Sequence, residues 1–231
     1  MEFWTSERRG TVEITTFSNP PRNYIGKPQL DELAQLVAQW RDPSIHAVVI
    51  QSRTGENSGF TQYSVEELYG MASDPGLSRY AGAVVRGYKA MFDDMMALPK
   101  VVIAAMNGDA LGRRIRTDAR LRGRIVPPEV ALQLGLVHEV VDDAPTRALE
   151  LAEEIAMLPP MSVANAKRAL YLGADTNLQA AYEIENMNWT EVMQSDDAKV
   201  ALSTFVAVDP DERRDWFESA NSKNYPAYSG H

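Results

Sequence analysis

Between Thr11 and Gln51 the chain spells out strand, helix and strand, an order that leaves few ways to fold. Thr11–Phe17 (TVEITTF) alternates and is rich in β-branched residues, which suits an extended chain. Asn19-Pro20-Pro21 ends it. Over Gln29–Trp40, Leu30, Leu33, Leu36, Val37 and Trp40 recur at helical spacing, giving a helix with one apolar face. Asp42-Pro43 closes that helix, and His46–Gln51 (HAVVIQ) reads as a buried strand. Two strands joined by a helix of about three turns predict a parallel pair. Helices over Glu66–Ala72 and Tyr80–Ala97 then lead to a third apolar strand, Val101–Met106.

The second half changes character. Pro127–Leu134 predicts a short helix stopped by Gly135, and Leu136–Val141 (LVHEVV) predicts another strand. Thr146–Met157, Ser162–Leu172, Leu178–Gln194 and Asp197–Val208 predict four helices, and Phe217–His231 is a polar tail with scattered aromatics. Strands first and helices after predict an α/β core with a helical C-terminal appendage. A net charge of −9 argues against a general nucleic-acid binder, since phosphate contact needs a basic surface. With no cysteine, disulfides, thiolate nucleophiles and cysteine metal sites are excluded. His46, His138 and His231 show no metal-ligand spacing, so no metal is expected. Met1–Gly10 is polar, and no apolar run approaches the roughly 20 residues of a membrane span, so a cytoplasmic protein without a membrane partner is expected.

Chemistry enters with Pro99–Gly112 (PKVVIAAMNGDALG). An apolar strand breaks at Asn107-Gly108, and small residues with Gly112 follow, where backbone N–H groups can face a ligand. This phrase closely resembles the signature of the crotonase (enoyl-CoA hydratase/isomerase) superfamily. Four further phrases resemble the same family in the same order: Asn19–Ile25 (NPPRNYI), Leu33–Ile50, Arg122–Val141 and Leu151–Leu170. The closing NYPAYSGH is similar in style. The resemblance implies an α/β, crotonase-like spiral of ββα units over residues 1–143 and a helical C-terminal trimerisation region over 144–231. Trimers in this family often pair into hexamers, so a homotrimer or hexamer is the implied assembly.

The resemblance also implies an activity. Family members bind acyl-CoA thioesters and stabilise an enolate-like anion with two backbone N–H groups, aided by a helix N-terminus. Carried onto this chain, the first donor falls at Tyr63 within GFTQYSVEEL, with Gln62 where glycine is usual and Ser64 where aspartate is usual. The second falls at Gly112. Arg22, Tyr24, Ile25, Thr61, Ser64 and Val65 take the positions implied to hold coenzyme A, which enters as part of the substrate rather than as a tightly bound cofactor. Ser64 has no recognisable base partner, and Glu66 and Glu67 read as solvated residues of a helix.

After Gly112 the family pattern stops. Six arginines fall within Arg113–Arg124, and the family's next helix, strand and second acidic residue have no counterpart. The missing elements amount to about fifty residues by usual element lengths. Two explanations stand: the polypeptide lacks the segment, or the residues read are only the ordered ones and the active-site segment between them went unseen. Loss of a core strand should prevent folding, which favours the second and makes the arginine run adjoining fragments rather than a basic patch. Neither glutamate that hydratases of this family use to hold and activate water can be assigned. The reading is therefore an enoyl-CoA hydratase or isomerase-like enzyme. The alternatives are another acyl-CoA reaction on the same fold (hydrolysis, dehalogenation, decarboxylation) and a non-catalytic trimeric scaffold.

Overall fold

A four-stranded sheet in the order β1-β2-β3-β4 organises the chain. The computed structural model describes residues 1–52, 63–107, 126–174, 176–218 and 226–230. The strands β1 (Trp4–Arg9) and β2 (Val12–Phe17) form an antiparallel hairpin whose turn places Gly10 at φ +58°, a conformation glycine adopts without strain. The helix α1 (Lys27–Gln39) then crosses to β3 (Ala47–Ser52), parallel to β2 as the strand–helix–strand order predicts. Next come α2 (Val65–Ser73), α3 (Pro75–Ser78) and α4 (Ala81–Met96), and β4 (Val101–Ala105) pairs parallel to β3. The later helices are α5 (Pro128–Gln133), α6 (Ala144–Ala156), α7 (Pro160–Ala174), α8 (Leu178–Gln194), α9 (Asp196–Val206) and α10 (Arg213–Glu218).

Side chains of β3 alternate between two cores, as a strand's period of two requires. Val48 and Ile50 join Phe17, Leu33, Leu36, Trp40 and Leu98 beneath α1, with Met91 of α4 filling the same layer. Ala47 and Val49 face the other way, onto Ala148, Ala152 and Ala156 of α6. Both faces of the parallel strands are thus covered, which explains their nearly continuous apolar sequence. The four-residue spacing of the alanines lines them up along one side of α6, so the helix backbone sits close to the sheet.

One sequence expectation needs correction. Leu136–Val141 is not a strand: it has no ladder partner among the described residues, and His138–Val141 is exposed. Its apolar residues resemble a strand, but strand character needs a neighbouring edge to pair with. Conversely, β1 escapes a hydrophobicity reading because only Trp4 of its six residues is buried. His46 precedes β3, and its Nδ1 lies 3.0 Å from Ala156 O, a structural contact.

Two lysines knit these layers. Lys167 of α7 donates to Leu98 O and Lys100 O, both at 2.9 Å, joining the C-terminal helices to the turn between α4 and β4. Lys100 is only 3% exposed and donates to Asp42 O at 2.7 Å and Ile45 O at 2.6 Å. Burial pushes its pKa down to about 8. From about 8 up to the ordinary 10.5, the unfolded chain keeps a proton that the folded chain has shed, so stability should rise with pH across this window. A rise on the order of 2 kcal/mol is expected in denaturant titrations, and Lys100→Met should abolish it.

Candidate active site

The parallel strands place their carboxyl ends together, where open α/β sheets bind ligands. Beside Ser52, the last residue of β3, stands Asn107, just past β4. Ser52 Oγ donates to Asn107 Oδ1 at 2.8 Å, and Asn107 Nδ2 donates back to Ser52 O at 3.0 Å. The Ser52 N–H also reaches Asn107 Oδ1, at 3.4 Å. The sequence reading treats Asn107 only as part of a turn. Its partner lies 55 positions away, beyond the reach of any local pattern.

From the end of β2, residues Asn19–Gly26 wind back on themselves. Asn19 Nδ2 donates to Tyr24 O at 2.7 Å, and Asn19 N–H donates to Asn23 Oδ1 at 2.7 Å. Asn23 takes φ +51°, a left-handed conformation that asparagine tolerates better than most residues. This winding delivers Ile25 to a parallel bridge with Tyr63, in which Ser64 N–H donates to Ile25 O at 2.8 Å. In such a bridge the partner's flanking residues make the hydrogen bonds, so Tyr63 turns its own N–H away from Ile25.

Ser64 caps α2: its Oγ accepts from Glu67 N–H at 3.2 Å and donates to Glu66 Oε2 at 3.2 Å. That commitment suits a capping residue rather than a nucleophile. Glu66 is exposed, as expected. Glu67 is not the solvated residue the helix pattern predicts. Its Oε2 accepts from the Tyr63 hydroxyl at 2.7 Å and from Lys27 N–H, at the start of α1, at 3.1 Å. The carboxylate also lies against Gly26, where an added Cβ would stand 2.1 Å from Oε1. The Tyr63 hydroxyl is 3.1 Å from that of Tyr88, and burial with these two hydrogen bonds raises the phenol far above its ordinary range. Tyr63 therefore stays protonated at neutral pH.

Ile25, Tyr63, Ser64 and Val65 come together at the bridge and the start of α2. Tyr24 and Arg22 occupy the same wound loop, and Arg22 Nη1 donates to the Tyr24 hydroxyl at 3.3 Å. Contact with Tyr24 and, more weakly, the Glu66 charge raise the Arg22 pKa, so the loop and the α2 N-terminus share one electrostatic environment. Thr61 and Gly112 lie outside the described residues. No group of three or more histidine, aspartate or glutamate residues is placed to hold a metal among the described residues.

The chain as a whole is similar to known proteins. The family model described as Enoyl-CoA hydratase/isomerase matches residues 109–217. The short-chain-enoyl-CoA hydratase of Clostridium acetobutylicum is 25% identical over 247 aligned positions, covering 87% of this chain and 93% of that one. Because 87% of 231 residues is about 201, about 46 aligned positions of that relative have no counterpart here. The shortfall is close to the segment whose absence the sequence implies. Among solved structures, enoyl-CoA hydratase from Bacillus anthracis superposes with a TM-score of 0.79 at 21% identity, covering 99% of each chain. Pseudomonas aeruginosa DspI gives 0.76 at 21% identity, over 89% of this chain and 94% of its own.

Proposed function

We propose that this chain, similar to the enoyl-CoA hydratase/isomerase family, is a member of the crotonase superfamily and converts an acyl-CoA thioester by stabilising an enolate-like anion at the thioester oxygen. The Tyr63 and Gly112 backbone N–H groups form the oxyanion hole. Arg22, Tyr24, Ile25, Thr61, Ser64 and Val65 hold the coenzyme A portion, which arrives and leaves with the substrate. The observation that carries this reading is the Ile25–Tyr63 bridge, whose pattern turns the Tyr63 N–H away from Ile25. A fixed backbone donor needs no special side chain, so tyrosine can serve where other members carry a smaller residue. One such donor is worth about 10²–10³ in rate in a well-studied hydrolase.

Hydration of a 2-enoyl-CoA is the leading reaction. Adding crotonyl-CoA to the purified chain should bleach the absorbance of the conjugated thioester, and no turnover would sink the hydratase assignment. A second reading is favoured by the roughly 46 positions of the Clostridium relative that lack a counterpart, together with the unassigned glutamates. On that reading the chain runs a different acyl-CoA reaction or serves as a scaffold. Sequencing the coding DNA across Gly112 to Arg122 separates the two. Glutamates at both family positions support hydration, and their absence supports the alternative.

Assembly and location complete the proposal. The chain forms a homotrimer, which can pair into a hexamer, through its C-terminal helices. Supporting this, α7 and α8 expose Leu170, Leu172, Met187 and Trp189, large apolar side chains that an interface would cover. Light scattering should give three or six times 25.7 kDa. The reaction is placed in the cytoplasm.

A further inference from the structure

Resting on the acyl-CoA reading of Tyr63, we infer that Glu67 is a positioning residue that fixes the Tyr63 backbone N–H by bracing the start of α1 against the Tyr63 side chain. One oxygen, Oε2, takes both the Lys27 N–H at 3.1 Å and the Tyr63 hydroxyl at 2.7 Å. The two ties flank the bridge bond from Ser64 N–H to Ile25 O, which helps set the direction of the Tyr63 amide. The Tyr63 ring is held a second time by Tyr88, at 3.1 Å between hydroxyls and 6.0 Å between ring centroids. Glu67 touches no reacting atom; it acts on the donor through the residue that carries it. Its charge also lies within the first turns of both α1 and α2, where helix dipoles favour an anion. Gly26 makes room for the brace. With φ −126° and ψ −168° its backbone suits any residue, so what glycine provides there is the space the carboxylate fills.

That geometry supplies two independent ways to remove the brace. Glu67→Ala deletes the carboxylate. Gly26→Ala leaves Glu67 in the sequence but expels it, because a Cβ 2.1 Å from Oε1 forces the flexible carboxylate end aside while the backbone stays as it is. Glu67→Gln keeps an oxygen able to accept both hydrogen bonds. The experiment measures kcat and KM for acyl-CoA turnover, thermal melting, and binding of a 3-ketoacyl-CoA whose enolate absorbs in the near ultraviolet. Misplacing a donor by about 1 Å can cost on the order of 100-fold. Glu67→Ala and Gly26→Ala should therefore each lower kcat at least about tenfold, with KM within about threefold, and should both lose the bound-enolate absorbance. Glu67→Gln should stay within about threefold of the parent kcat. A general structural role would lower the melting temperature without separating kcat from KM. If the parent chain turns over acyl-CoA and both alanine variants keep its kcat, the brace is overturned while the acyl-CoA reading stands. If the parent chain neither turns over nor binds acyl-CoA, the reading of Tyr63 fails and the brace falls with it.

Discussion

Asp197→Ala should free the carboxyl-terminal tail and lower stability by about 3 kcal/mol. Asp197 sits in the first turn of α9 with 1% exposure, and its carboxylate is filled by donors from the tail. Ser229 N–H reaches it at 2.7 Å, Ser229 Oγ at 3.1 Å and Gly230 N–H at 2.8 Å. Hydrogen bonds to a charged group contribute roughly 1.5–3 kcal/mol each, and the entropy regained by a released tail offsets part of the sum. Gly230, at φ +79°, also lies over Pro160, the first residue of α7, so the tail fastens the start of α9 to the start of α7. Asparagine should be a poor substitute, because its amide nitrogen would aim a donor at a backbone donor. Denaturant melts measure the loss, and carboxypeptidase trimming reports the tail directly. Unchanged resistance to trimming in Asp197→Ala would contradict this assignment.

Asn107→Ala should impair both the sheet and the reaction. Removing the side chain costs Ser52 its hydroxyl and carbonyl hydrogen bonds to Asn107 in a nearly dry site, each worth about 0.5–1.5 kcal/mol. A drop of about 2 kcal/mol in stability is expected. The functional loss should be larger in proportion, about 100-fold in kcat/KM, since both proposed oxyanion donors follow from these strand ends. Asn107→Asp distinguishes the parts: it keeps the acceptor for Ser52 Oγ and loses only the donor to Ser52 O. Activity of Asn107→Ala within a few-fold of the parent would show that the strand ends need no such tie.

What could be read in advance divides along the range of the forces involved. Leu30, Leu33, Leu36, Val37 and Trp40 announce α1 because a helix buries a face whose period is written locally, and all five are buried. The same holds for Val48, Val49 and Ile50, whose strand is covered on both sides. Leu136–Val141 has the local composition of a strand but no neighbour to pair with among the described residues, and β1 has the neighbour but not the composition. At the proposed site, Tyr63 is reached only by resemblance of the surrounding phrase. Glu67 is not, because a helix pattern can say only that it lies in the first turn of α2. The place its carboxylate takes depends on Gly26, 41 positions earlier, having no side chain. Ser52 and Asn107 share this condition: each is ordinary alone and informative only as a pair.

The alanine row on α6 gives the two sides of the sheet unequal tolerance for change. Beneath α1 the layer holds leucine, tryptophan, phenylalanine and methionine, so a volume gained at one position can be given up by a flexible neighbour. Beneath α6 the fit is set by Ala148, Ala152 and Ala156, which have nothing left to shrink. An added methyl there must lift the whole helix, and with it Ala156 O from the ring of His46 at the entrance to β3. Variation in this protein should therefore accumulate on one side of the sheet while the other stays fixed, like a wall that can be replastered on only one face.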